Sequence, residues 1–242
     1  MWSDDFNGPA GSPPDPTKWQ AVSGGNGWGN DELEYYTWRS ANVSLDGAGH
    51  LAITARQETY TGPDGVTRDY TSARIQTKGL FQARYGTIEA RIQLPVGAGL
   101  WPAFWMLGSN SDAVGWPACG EIDVMENIGS DPFTAYGSIH GPDTSAGAAY
   151  AVGAAVRSQT ALAGGFHIYG ITWSSESISF SLDGVPYETR TPSSLSGGQQ
   201  WVYNQPFYLL LNVAVGGTWP GSPSRSTQFP ATMLVDWVRV CG

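Results

Sequence analysis

Positive charge is scarce in this sequence. Lys and Arg together number 12 among 242 residues, against 21 Asp and Glu, for a formal net charge of −9. Nucleic acid and anionic membranes both reward Lys and Arg, so neither is the expected partner. A neutral polymer meets no such objection. Long apolar runs are missing as well. No stretch of about 18 apolar residues is present, so no membrane-spanning helix is expected. Met1-Trp2-Ser3-Asp4-Asp5 has neither the basic head nor the apolar stretch of a signal peptide. With so little lysine and charge, the better expectation is a secreted protein whose signal has been removed and Met1 added, rather than a cytosolic one. Only two cysteines occur, Cys119 and Cys241, enough for one disulfide and silent about redox compartment. The three histidines, His50, His140 and His167, lack Cys/His ligand spacing, which argues against a catalytic zinc. Neither a serine nucleophile elbow nor a phosphate loop occurs.

What is abundant is aromatic and flexible: eleven Trp, eleven Tyr and 32 Gly. That mixture fits a turn-rich β protein with flat stacking surfaces. The strong patterns have period two. Apolar residues alternate through Thr87-Ile88-Glu89-Ala90-Arg91-Ile92-Gln93-Leu94, and Ile178, Phe180 and Leu182 alternate with serines before an Asp183-Gly184 turn. Phe207 to Val215 is nearly all apolar, as in a strand covered on both faces. Asp46-Gly47 and Asp64-Gly65 mark further turns. No long segment has a helical period. Many strands between close turns predict an all-β antiparallel sandwich whose curved sheets offer a concave cleft. Without repeats or a linker, one domain spanning 1–242 is expected. Gly141 to Gly165, rich in Gly, Ala and Ser, reads as a long surface loop or a weakly patterned excursion.

The most informative segment is Gly120-Glu121-Ile122-Asp123-Val124-Met125-Glu126-Asn127. Acids spaced by large apolar residues imply a strand with one face in a core and one lining a cleft. Glu121 and Asp123 share a face; Glu126, five residues on, points the other way unless a bulge near Val124-Met125 restores parity. Two carboxylates over one cleft suit retaining glycoside hydrolysis, which needs an ionised nucleophile and a protonated acid roughly 5–5.5 Å apart. Asp123 between them can orient Glu121 and help hold a proton on Glu126. A metal site or an accidentally acidic strand is the alternative.

This segment resembles the E-I-D-x-x-E signature of glycoside hydrolase family 16, in the longer form of its laminarinases. Gly27 to Tyr36, Gly99 to Leu107, Leu211 to Gly217 and Met233 to Val240 resemble laminarinase blocks in the same order. The resemblance covers nearly the whole chain except the region around Gly141 to Gly165. It implies a concanavalin-like β-jelly roll and a retaining endo-β-1,3-glucanase, with Glu121 as nucleophile, Asp123 as assisting acid and Glu126 as acid/base. It also places Trp101, Trp105 and Trp116 in the cleft, Asn42 and Arg74 on the sugar beside the scissile bond, His140 near the acids and Trp219 at a cleft end. For each, core packing or surface polarity is the alternative. A carbohydrate-binding sandwich without activity would share the tryptophans but not need clustered acids; a transglycosylase of the same fold would share everything.

Period two puts Asp236 on one face with Leu234, Val238 and Val240, and Arg239 on the other. A carboxylate on an apolar face needs a partner, and calcium takes carboxylate and carbonyl oxygens together. The resemblance implies a structural calcium held by Asp236 and by the carbonyls of Asp5 and Gly49. A monomer is expected.

Overall fold

The period-two segments become strands, and the computed structural model describes all 242 residues. In chain order the strands are β1 (Trp2–Asp4), β2 (Gln20–Val22), β3 (Glu34–Tyr36), β4 (Val43–Leu45), β5 (Leu51–Thr61) and β6 (Thr67–Ser72). Next come β7 (Arg74–Gln76), β8 (Gly86–Gln93), β9 (Leu100–Gly108), β10 (Glu121–Glu126), β11 (Thr134–Asp143) and β12 (Ala148–Arg157). The last are β13 (His167–Trp173), β14 (Ile178–Leu182), β15 (Val185–Arg190), β16 (Phe207–Val215) and β17 (Ala231–Cys241). The one α-helical turn is Ser111–Val114. At the β14–β15 hairpin, Asp183 and Gly184 both take positive φ, 52° and 76°, as a two-residue turn with matching twist requires.

Ten strands form one sheet in the order β15-β14-β13-β8-β17-β5-β6-β3, with β1 added to β17 and β4 to β5. Seven form the other, β12-β11-β10-β9-β16-β7-β2. Pairing is antiparallel except between β3 and β6. The two sheets stack as a jelly-roll sandwich. Ile88, Ala90 and Ile92 of β8 join Phe104 and Met106 of β9 and Leu209, Leu211 and Val213 of β16 in one fully buried core. Removing this apolar surface from water is the main force holding the sheets together. All nine residues of β16 are buried. It is a central strand, and the face turned away from the core is roofed by cleft side chains.

Two expectations need correction. The Gly141–Gly165 region is not chiefly loop. It holds the end of β11 and all of β12, paired in unbroken register from Thr134↔Arg157 to Asp143↔Ala148. Its small residues carry no apolar alternation, which hid the strand. They also let the strands approach: a Cβ on Gly153 would lie 2.2 Å from the Gly137 carbonyl oxygen. Asp236 does not share a face with Val238 and Val240. A bulge between Val235 and Trp237 shifts the register against β8, so the buried set runs Met233, Val235, then Val238, Val240. Asp236 turns outward and is not partnerless: Arg91 Nη1 lies 2.5 Å from its Oδ2. Both cysteines are free, Cys119 buried and Cys241 exposed.

Candidate active site

Strand β10 bends where parity demands it. Asp123 pairs with Ser138 and Glu126 with Tyr136, so the register slips between them. Val124 and Met125 are both buried within the bulge, while Glu121 and Glu126 open onto one cleft. This is how five residues of spacing put two carboxyls on the same face.

The acids are wired together. Asp123, 3% exposed, accepts from Ser138 Oγ at 2.6 Å and lies 2.8 Å from His140 Nε2, both through Oδ2. Trp101 Nε1 donates to Glu126 Oε1 at 2.9 Å. Burial, then the Asp123 charge, pushes Glu121 up to about 8, with His140 working the other way. Burial, Asp123 and Glu121 together raise Glu126 well above the ordinary carboxyl range. Burial would lower His140, but Asp123 outweighs it and carries the imidazole up to about 9. The cluster thus favours a charged imidazole and holds both glutamic acids above the ordinary carboxyl range. One carboxylate beside one retained proton is what an acid-assisted displacement uses. Donor atoms of Glu121, Asp123 and His140 lie within 4.8 Å of one another, a spacing a cation could bridge. Oδ2 of Asp123 is already occupied by Ser138 and His140.

The cleft has two lobes meeting at Asn30, Trp101, Trp116, Glu121 and Glu126. The narrower, about 260 Å³, adds Trp28, Glu32, Arg74, Trp105 and Asn212. The wider, about 560 Å³, adds Tyr136, Ser138, His140 and Trp219 over the small residues of β12. Trp116 is 55% exposed, far from a core tryptophan. Trp219 packs edge-on against Trp101 at 5.5 Å and Tyr136 at 4.9 Å. The Arg74 guanidinium sits between Trp105, 4.5 Å away, and Trp28, 5.0 Å away. Thus Arg74, Trp101, Trp105, Trp116, His140 and Trp219 gather around the acids.

Asn42 does not. It is fully buried, donating to Thr54 O and Thr71 Oγ1 and accepting from Thr37 Oγ1. Those bonds tie β5 and β6 to the Thr37–Arg39 turn and leave no group for a sugar. Trp28, Asn30, Glu32 and Asn212 were missed as individual positions. The signal for Asn212 was present: it is the one polar residue in an apolar run, on the face of Leu210 and Ala214.

A jelly-roll sandwich with two carboxyls and a tryptophan-lined cleft on one sheet defines a glycoside hydrolase. Residues 30–239 match the model described as glycosyl hydrolases family 16. The chain is 39% identical to a β-glucanase of Rhodothermus marinus, covering 99% of this chain and 84% of that protein. It is 35% identical to glucan endo-1,3-β-glucosidase A1 of Niallia circulans, covering 99% of this chain but 37% of that protein. The laminarinase catalytic domain of Thermotoga maritima MSB8 superposes with a TM-score of 0.89 at 44% identity, covering 99% and 96% of the two chains. The chain belongs to glycoside hydrolase family 16.

Proposed function

We propose that this protein is a retaining endo-β-1,3-glucanase that cuts laminarin-type glucans by double displacement. The observation carrying this reading is the bulged β10 strand, which presents Glu121 and Glu126 to one cleft with Trp101 bonded to Glu126. The Glu121 carboxylate attacks the anomeric carbon as the C–O bond to the leaving sugar breaks. That electron pair goes to the glycosidic oxygen, which takes the Glu126 proton. Glu126 then removes a proton from water, the water oxygen attacks the same carbon, and Glu121 leaves. Asp123 and the His140 imidazolium keep Glu121 oriented. Indole faces stack on sugar C–H faces, and Arg74, Asn30 and Asn212 offer hydroxyl partners. A cleft continuing on both sides of the acids suits internal cleavage. The test is timed product profiles on laminarin, curdlan, lichenan and carboxymethylcellulose, with proton NMR of the first product. Mixed oligosaccharides from laminarin and a β-anomer first are expected. A preference for lichenan sinks the linkage assignment; an α-anomer first sinks retention.

The protein is further read as a secreted monomer. A polymer substrate has to be met outside the cell, and one chain supplies the whole site. Activity confined to cells, or a dimer in sedimentation, would contradict this.

Calcium is proposed at the β17 bulge. On one edge of β17, β5 begins with Leu51 opposite Val235, and β1 ends with Asp4 opposite Val238. Gly49 and Asp5 therefore flank the gap at Asp236, and one carboxylate with two carbonyls is an oxygen set that fits the ion. Arg91 competes for the same carboxylate. Thermal unfolding with calcium and with EDTA tests the site: the melting temperature should fall in EDTA, and no change would remove the claim.

A further inference from the structure

A second pair of acids lies beside the cleft, outside the catalytic pair. Glu34 on β3 is fully buried and Glu32 is 5% exposed. Both oxygens of Glu32 are taken, Oε1 by Asn30 Nδ2 at 2.9 Å and Oε2 by Tyr36 OH at 2.9 Å. Glu34 Oε2 accepts from the Val215 N–H at 2.6 Å, while its Oε1 is buried without a partner. The Glu34 and Glu32 side chains lie within hydrogen-bond reach of each other. Two ionised carboxylates there would repel with no cation between them. One proton resolves both anomalies, giving the orphaned oxygen a donor role and Glu32 its third bond.

From Glu32 the bonds run on into the cleft. Tyr36 OH accepts from Asn212 Nδ2 at 3.2 Å, and Asn212 Oδ1 accepts from Trp105 Nε1 at 2.7 Å. Asn30, Glu32, Asn212 and Trp105 all line the narrower lobe. We infer that Glu34 is a positioning residue for substrate: it keeps a proton, donates it to Glu32, and so fixes Asn30, Asn212 and Trp105 in their sugar-binding orientation. Glu34 touches no sugar. The inference rests on the β-glucanase reading for the identity of the ligand.

Burial and the Glu32 charge raise Glu34 well above the ordinary carboxyl range, in keeping with the retained proton. The other groups facing the pair are few. Tyr36 is itself raised, by burial and both glutamates, and Arg74 of β7 is the nearby cation acting on it. Tyr70, the β6 residue paired with Glu34, packs against Phe229. Strand β16 offers Asn212 and the Val215 N–H.

The test uses the chain carrying Glu126→Gln, so that bound sugar is not cut, and a β-1,3-linked glucose tetramer titrated calorimetrically. At about pH 6, adding Glu34→Gln should change affinity less than about twofold, because the amide donates to Glu32 and still accepts from Val215, whereas Glu34→Leu should weaken it about tenfold. As pH is raised until the parent loses the Glu34 proton, the parent should weaken about tenfold more than the Glu34→Gln chain, since His140 and Glu121 titrate in both alike. Equal weakening in both overturns the inference. So does a Glu34→Gln chain that binds as poorly as Glu34→Leu at the lower pH, or that does not fold. If the parent binds no tetramer at all, the β-1,3-glucan reading falls instead. The pair is then judged on ligand-free protein. The melting temperature of Glu34→Gln minus that of the parent should grow as pH rises above 4.5, the ordinary value for a free glutamic acid. A constant difference overturns the inference.

Discussion

Two strands on opposite sheets use the same backbone device on an acidic residue, with opposite electrostatic results. On β10 a bulge at Val124-Met125 turns Glu126 to the side of Glu121 and Asp123. Like charges are gathered, and the two glutamic acids are pushed up. On β17 a bulge at Asp236 turns one carboxylate out of the core and onto Arg91. There opposite charges meet. A bulge only re-aims a side chain; what waits on the new face decides whether the result is a reactive cluster or a tie. The contrast predicts that substitutions at β10 lose activity and gain stability, and that those at β17 lose a little stability and leave activity unchanged.

The largest effect is expected at the catalytic glutamates. Glu121→Gln and Glu126→Gln should each lower turnover of laminarin by about 10³-fold or more while the fold persists. Azide should restore turnover to Glu121→Ala and give an α-glycosyl product, because it fills the space left by the nucleophile. The stability sign is opposite. Both acids are raised in the folded chain, so the stability they contribute is complete below the unfolded value of 4.5. It is lost as pH rises, for Glu121 through about 8. At neutral pH each Gln variant should therefore melt above the parent by calorimetry. A variant melting lower there would break the comparison at its stronger end.

Asp123→Asn comes next. It should slow the reaction about 10- to 100-fold without abolishing it, since Asp123 orients and tunes but does not touch the reacting carbon. The same change removes the main influence raising His140, so NMR titration should show the imidazole falling from about 9. An unmoved His140 would mean that Asp123 is not its partner.

The two bulges were not equally legible in the sequence. At β10 three acids supplied their own parity check: Glu121 and Glu126 are an odd number apart, and a shared cleft required one extra residue. At β17 the residues on both sides of Asp236 are apolar, so period two continued unbroken and hid the slip. The small-residue strand β12 was missed for a related reason, because Ala and Gly on both faces give no alternation to read. Asn42 failed differently. The resemblance placed it on a sugar, but a buried network and a sugar contact ask for the same amide, and only packing tells them apart. Central strand β16 was readable because burial on both faces leaves a continuous apolar run.

Smaller effects separate the cleft tryptophans. Trp116 lines both lobes with an exposed ring, whereas Trp219 lines one and leans on Trp101 and Tyr136. Trp116→Ala should reduce kcat/KM about tenfold or more and Trp219→Ala several-fold less, as loss of aromatic contact near and away from the scissile bond would give. Equal losses would mean that the lobes grip the chain alike.

The smallest effect belongs to the β17 bulge, and it can separate its two candidate partners. Arg91 and Asp236 side chains keep 38% and 28% of their exposure. A part-exposed pair of this kind contributes about 0.2–1 kcal/mol, screened by salt. If Arg91 is the only partner, Arg91→Met and Asp236→Asn should lower the melting temperature equally, by a few degrees at most, with calcium and with EDTA alike. If calcium is held there, the two substitutions diverge. Arg91→Met should leave the calcium-bound protein nearly unchanged, because the ion replaces the guanidinium, and Asp236→Asn should erase the difference between calcium and EDTA. Neither substitution should change kcat at low temperature, since the bulge lies on the sheet that does not carry the cleft. A loss of kcat from Asp236→Asn in fully folded protein would break the separation between the two bulges.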